Sequence, residues 1–167
     1  MSRLLRACTT SVVVAVVVSV ATPAIADTTS FTDPRGDTDA RYDLTRTAIS
    51  NDEDRIVVVQ SVQALRGGRT QTFAVNLSRR GQGYVLHTIR ARNGTISYRF
   101  FGGSHGDDVE CSVRARWRLA ADRIRVSMPR ECVAEAGALR VSTGIGAGNG
   151  SSGDPADWTK TVRVGQG

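Results

Sequence analysis

The chain predicts an all-β fold: an antiparallel β-sandwich of about nine strands, jelly-roll-like and carrying one disulfide, with a closed barrel as the alternative. Three observations lead there. Short runs of alternating apolar and polar residues recur about every ten positions, clusters of Gly, Asn and Asp separate them, and no heptad, repeat or long helical stripe intervenes.

Residues 1–26 read as a secretory signal. Arg3 and Arg6 give a basic start, an apolar run fills 12–20, and Ala24-Ile25-Ala26 places small residues where a signal peptidase accepts them, so cleavage is expected before Asp27. The apolar run is too short to cross about 30 Å of hydrocarbon. Removing 26 of the 167 residues leaves 141, one domain over 27–167. A chain of that size buries about two-thirds of its unfolded surface, enough for a core without a metal. The expected product is secreted and extracellular, with no membrane attachment after cleavage.

The strands follow in order. Residues 44–49 form the first, and Asn51-Asp52-Glu53-Asp54 turns the chain. Residues 55–65 form the second; Val57 and Val59 oppose Ile56 and Val58, and apolar residues on both faces predict a central strand covered on each side. Residues 72–77, 84–92 and 95–101 come next. Asn93-Gly94 between the last two is the strongest hairpin signal, expected as a type I′ turn with positive φ at both positions. Residues 111–119, 123–128, 139–145 and 158–164 complete the set, with a Gly/Ser-rich loop over 146–153. Only 134–139 has the makings of a helical turn.

Cleavage leaves Cys111 and Cys132, which in an oxidising compartment have one intramolecular pairing open to them. A two-residue turn at Ala121-Asp122 sets Cys111 opposite Cys132, Trp117 opposite Val126 and Leu119 opposite Ile124, all facing the core. The bridge encloses about 21 residues and is worth roughly 3 kcal/mol in the chain-entropy model. Without a CxxC spacing, a structural role is expected rather than a redox one.

The opposite face of that hairpin is basic. Arg114, Arg116 and Arg118 alternate along one strand and Arg123 and Arg125 along its partner, with Arg118 expected across from Arg125. Like charges in register destabilise unless an anion is near. The surface reads either as a polyanion-binding face for wall polymers or sulfated glycans, or as a solvated face whose arginine stems cover apolar area. No aromatic residue is interleaved, which disfavours nucleic acid. Acidic residues gather elsewhere: 27–54 holds eight of the sixteen carboxylates against three arginines.

The densest acidic group is Asp33, Asp37, Asp39 and Asp43. Hard cations such as Ca²⁺ take several carboxylate oxygens at once, and Gly36 permits the bend that folds Asp33 and Asp37 together. Asp154 and Asp157 complete such a site if the two ends of the domain meet. The bland reading is a Pro34-Gly36 turn capped by aspartates. No other motif asks for a cofactor.

Gly102-Gly103-Ser104-His105-Gly106 matches a GxSxG nucleophile elbow. That motif needs a following helix and a later histidine, yet His87 and His105 are the only two in the chain. A glycine-rich turn suffices. Two scattered histidines also make a poor metal set. Arg35-Gly36-Asp37 is an integrin-type tripeptide that arises readily by chance.

Asp33-Pro34-x-Gly36-Asp37, Asp43-Leu44 and the late Asp154-Pro155-x-Asp157-Trp158 resemble two groups, as does the arginine-for-lysine usage for the first of them. One is the small secreted β-sandwich proteins of actinobacteria. The other, more distantly, is the family-nine-like carbohydrate-binding modules, which implies a β-sandwich that grips sugar between exposed aromatic rings. Only 5% of residues are aromatic here, and Trp117 is assigned to the core.

Three functions follow, in order. The first is a secreted, non-catalytic binding or interaction module whose ligand the sequence does not name, with an anionic wall polymer or glycan as one candidate partner. The second is a small hydrolase using Ser104 or the 33–43 aspartates. The third is a structural or inhibitor-like protein presenting its 146–153 loop.

Overall fold

Alternation with a period of two builds the long strands and buries one side of each. The computed structural model describes residues 28–102, 106–133, 137–148 and 156–167. Twelve strands occur among them: β1 (Thr28–Thr32), β2 (Leu44–Asn51), β3 (Arg55–Val62), β4 (Gln71–Arg79), β5 (Gln82–Arg90), β6 (Ile96–Gly102), β7 (Asp107–Asp108), β8 (Arg114–Arg118), β9 (Arg123–Pro129), β10 (Leu139–Ala147), β11 (Asp157–Trp158) and β12 (Val162–Val164). One sheet runs β1-β2-β3-β9-β8 and the other β11-β10-β4-β5-β6-β7, with β12 beside β10; every pairing is antiparallel. The fold is therefore an all-β protein of two antiparallel sheets. Consecutive strands stay within a sheet as meanders, β1-β2-β3 and β4-β5-β6-β7, instead of alternating between sheets as in a jelly roll.

Ile49, Ile56, Val58, Phe73, Val75, Leu77, Leu86, Ile124, Val126 and Val141 fill the interior between the sheets. A polar element crosses it. Gln60, fully buried on β3, accepts hydrogen bonds through Oε1 from Thr47 Oγ1 at 2.7 Å and Thr143 Oγ1 at 2.8 Å, joining one sheet to the other. Its Nε2 donates to the carbonyls of Ser61 (2.9 Å) and Arg46 (3.2 Å). Gln60→Leu fits the space but orphans the buried Thr47 hydroxyl, at a cost of about 1–3 kcal/mol, and leaves Thr143 Oγ1 with Thr159 Oγ1 alone at 3.1 Å. A urea midpoint unchanged in this variant would show that the network adds nothing to stability; a loss of about 2 kcal/mol is expected.

Four expectations need correction. Strand β3 is central in its sheet, but no second layer covers its outer side: Val57 and Val59 are half-buried there among arginine stems. At Asn93-Gly94 only Gly94 has positive φ (91°), and Gly94 N–H donates to Ala91 C=O, so the turn is longer than type I′. The two-residue turn with both φ positive is instead Arg80-Gly81, at 45° and 84°. Third, β1 was not foreseen, since Phe31 is its one apolar residue; its pairing to β2 makes it a strand.

The fourth concerns the arginine hairpin. Trp117 faces Ile124, Arg116 faces Arg125 and Arg118 faces Arg123, a slip of two residues from the expected register. The turn is four residues long. Leu119–Ala121 form a 3-10 turn, and Asp122 takes the left-handed conformation at φ 48°, ψ 45°. Asp122 is held there from outside the hairpin, accepting from Leu65 N–H through Oδ1 (2.8 Å) and from Val62 N–H through its carbonyl (3.0 Å). Cys111 and Cys132 do form the disulfide, with Cα atoms 5.7 Å apart, but both lie beyond the ladder.

No helix among the described residues is long and apolar enough to cross a membrane. The expected signal segment 1–26, Ser104, His105, Asp154 and most of the 146–153 loop lie outside the described residues.

Candidate functional site

A slip of two leaves every side chain on its predicted face, because strand side chains alternate with a period of two. Arg114, Arg116, Arg118, Arg123 and Arg125 are all exposed on the outer side of the first sheet. Together with Arg55, Val59 and Ser127 they line a groove of about 450 Å³.

Strand pairing orders the groove into rows. One row runs Val57, Ser127, Arg114; the next Val59, Arg125, Arg116; the third Ser61, Arg123, Arg118. Successive rows are two residues apart along the strands, or about 7 Å. Val57, Val59 and Ser61 on β3 are half-buried, whereas the arginines of β8 and β9 beside them are exposed. Arg55 was not read from the sequence as part of this face. It is fixed by Nε and Nη2 donating to Ser127 Oγ at 3.0 and 2.8 Å, which holds its head at the Ser127 row of the groove.

None of the five predicted arginines has a carboxylate partner among the described residues, where the only salt bridge is Arg41 with Asp39. Arg116 against Arg125 and Arg118 against Arg123 are like charges directly opposite. Such a face is destabilised by its own field and gains most from an anion placed along it.

The acidic residues form a second constellation. A β-bulge between Leu44 and Arg46 ends the regular pairing of β2 with β3. There the 33–43 loop folds back: Asp33 N–H donates to Thr45 C=O (3.1 Å) and Gly36 N–H to Asp43 Oδ2 (2.6 Å). From the other sheet, Asp157 on β11 accepts from Leu44 N–H through Oδ2 at 2.7 Å. One oxygen each of Asp33, Asp37 and Asp157 then lies within 4.8 Å of the others. Burial raises the Asp33 carboxyl above its ordinary range, and the charges of Asp157, Asp37 and Asp43 raise it further against the opposing charge of Lys160. Burial likewise raises Asp157, partly offset by the Leu44 N–H.

Asp39 does not join this group. Its exposed carboxylate is bound by the Arg41 side chain and N–H, which hold it well below the usual range. The local i, i+2 contact with Arg41 wins over the long-range cluster. Asp157 takes the place expected for Asp39.

Exposed aromatic rings are few. Trp158 lies with its ring face over Gly144, where a Cβ would approach Cδ2 and Cε3 to 2.7 Å, and its outer side is exposed. Tyr98 donates its hydroxyl to Cys111 C=O (2.9 Å). The register Gly144–Ala74–His87–Arg99 puts Trp158 on the Arg99 face of the sheet, and Tyr98, next to Arg99, on the other. These two rings frame no common slot. His87 stands edge-on to Phe101 at 5.9 Å, and burial followed by Arg99 lowers its pKa.

No family model, curated protein or solved structure matches this chain.

Proposed function

We propose that the protein is a secreted, non-catalytic binding module that holds a linear anionic polymer along the arginine groove. The observation that carries this reading is the row of guanidinium groups without acidic partners, Arg114, Arg116 and Arg118 beside Arg123 and Arg125. Secretion is supported by the Cys111–Cys132 disulfide together with the leader-like residues 1–26.

The polymer class follows from shape and composition. Rows spaced about 7 Å apart suit a chain that presents one charge per extended repeat unit, as a polyol phosphate does. No aromatic side chain lines the groove, so stacked bases gain nothing there. A polyol phosphate or an acidic glycan uses the guanidinium forks fully, because arginine grips phosphate and carboxylate oxygens in pairs.

Equilibrium binding of the purified chain to polyglycerol phosphate, measured at 50 and 200 mM salt, tests this. About five arginine contacts predict a fall in affinity of roughly 100-fold across that range. Single-stranded DNA of equal charge is expected to bind more weakly. Absence of binding at 50 mM salt would remove the proposal, and equal affinity for the two polymers would remove its choice of ligand.

A further inference from the structure

We infer that Asp33, Asp37, Asp43 and Asp157 form a binding site for one divalent cation of the calcium class, which ties the edge of one sheet to the edge of the other. Three carboxylates whose oxygens lie within 4.8 Å of one another would not by themselves carry this, because acidic groups often gather in solvent. The decisive atom is Asp43 Oδ1.

Asp43 is fully buried. Its Oδ2 receives the Gly36 N–H, whereas its Oδ1 is shut from solvent with no hydrogen-bond partner. A buried carboxylate oxygen without a donor is among the costliest groups a fold can hold. Asp43 lies beside the three close carboxylates: it holds Gly36 N–H, next to Asp37, and Asp157 holds Leu44 N–H, next to Asp43. No arginine or lysine forms a salt bridge with any of the four among the described residues. Lys160 is the opposing charge acting on Asp33, and its ammonium stands over the Phe31 ring, 5.8 Å from the centroid.

Everything else about the arrangement is pre-organised. Asp157 Oδ2 takes Leu44 N–H and Asp43 Oδ2 takes Gly36 N–H, which fixes both carboxylates, and the Trp158 N–H further steadies Asp157. Asp33 is half-buried and Asp37 is exposed, so the cluster opens to solvent on that side, giving an ion a path in and room for water. An all-oxygen set, three carboxylates within reach of one ion and a fourth beside them, with no nitrogen and no sulfur, selects a hard cation. Irregular loop geometry with space for water suits Ca²⁺ better than the strict octahedron Mg²⁺ demands.

The cation's place in the fold is specific. The cluster joins the β1–β2 connection to β11, on the side of the sandwich where Thr38 Oγ1 also reaches Ala156 C=O at 3.3 Å. The disulfide closes the opposite side, where β6 approaches β8. One covalent and one ionic clamp would then secure the two edges.

Calorimetric titration of the purified, chelator-treated chain with CaCl₂, alongside thermal unfolding in 5 mM Ca²⁺, tests the site. One Ca²⁺ per chain is expected, with Kd on the order of 10⁻⁴ M and at least tenfold weaker Mg²⁺ binding. The unfolding midpoint should rise by about 5 °C. Asp43→Asn removes the charge but risks the Gly36 contact, so the sharper variant is Asp37→Asn, whose side chain is exposed and makes no hydrogen bond within the described residues. Asp37→Asn should weaken Ca²⁺ at least tenfold while leaving the chelator-treated midpoint no lower, because it also removes the repulsion of Asp37 on Asp33 and Asp157. Asp39→Asn should leave Ca²⁺ affinity unchanged. Absence of Ca²⁺ binding up to 5 mM by the folded chain overturns the inference, as does equal affinity in Asp37→Asn and the parent chain.

Discussion

Reversing the middle row of the groove, with Arg116→Glu and Arg125→Glu together, should lower affinity for polyglycerol phosphate by about 100-fold at 50 mM salt and flatten the salt dependence by roughly two contacts. Both side chains are exposed, lie directly opposite each other and carry no hydrogen bond or salt bridge among the described residues. The single reversal Arg125→Glu separates binding from stability. It replaces a like-charge pair with an opposite one, worth about 0.5 kcal/mol of added stability, while removing a groove contact. Stability and affinity should therefore move in opposite directions, which general damage to the fold cannot produce. If both reversals left affinity and salt slope as they were, the anion would have to bind elsewhere.

The faces of these strands were legible in the sequence and their register was not, for one physical reason. Alternation reports which side a residue points to, and a slip of two preserves it. Register depends on turn length, and here the turn carries no local signature. Leu119 is apolar enough to read as strand, and Ala120 and Ala121 are indifferent. Asp122 is kept left-handed by Leu65 and Val62, which belong to another part of the chain. The same division runs through the acidic site. Asp33, Asp37 and Asp43 were visible as a cluster in one loop. Asp157 could be named only on the condition that the two ends of the domain meet, and they do so because β11 pairs with β10 and lies against Leu44, a contact 113 residues away in sequence. Asp39 looked identical to its neighbours until Arg41 claimed it. Arg55 escaped notice because its link to the groove is a hydrogen bond to Ser127, 72 residues on.

Removing the disulfide with Cys111→Ala and Cys132→Ala is expected to cost about 3 kcal/mol, lowering the unfolding midpoint by roughly 10 °C. The loss should depend on salt, and this follows from where the bridge sits. Strand β8 is an edge strand carrying three arginines, paired only to β9, which presents two more in register. Its ladder begins at Arg114, three residues after Cys111, and β9 ends at Pro129, three before Cys132. The bridge therefore lies outside the hydrogen bonds and holds shut the open end of a hairpin whose outer face repels itself. Exposed charges a few ångströms apart are screened at high ionic strength. The disulfide-free protein should accordingly lose more stability at 20 mM than at 500 mM salt, and polyglycerol phosphate should recover part of the difference by neutralising the rows. Amide exchange should rise first in β8 and the 109–113 segment, ahead of β1 and β2 at the far edge. A loss that is uniform along the chain and identical at both salt concentrations would mean that the bridge acts through the unfolded chain alone and that the arginine rows exert no strain on the fold.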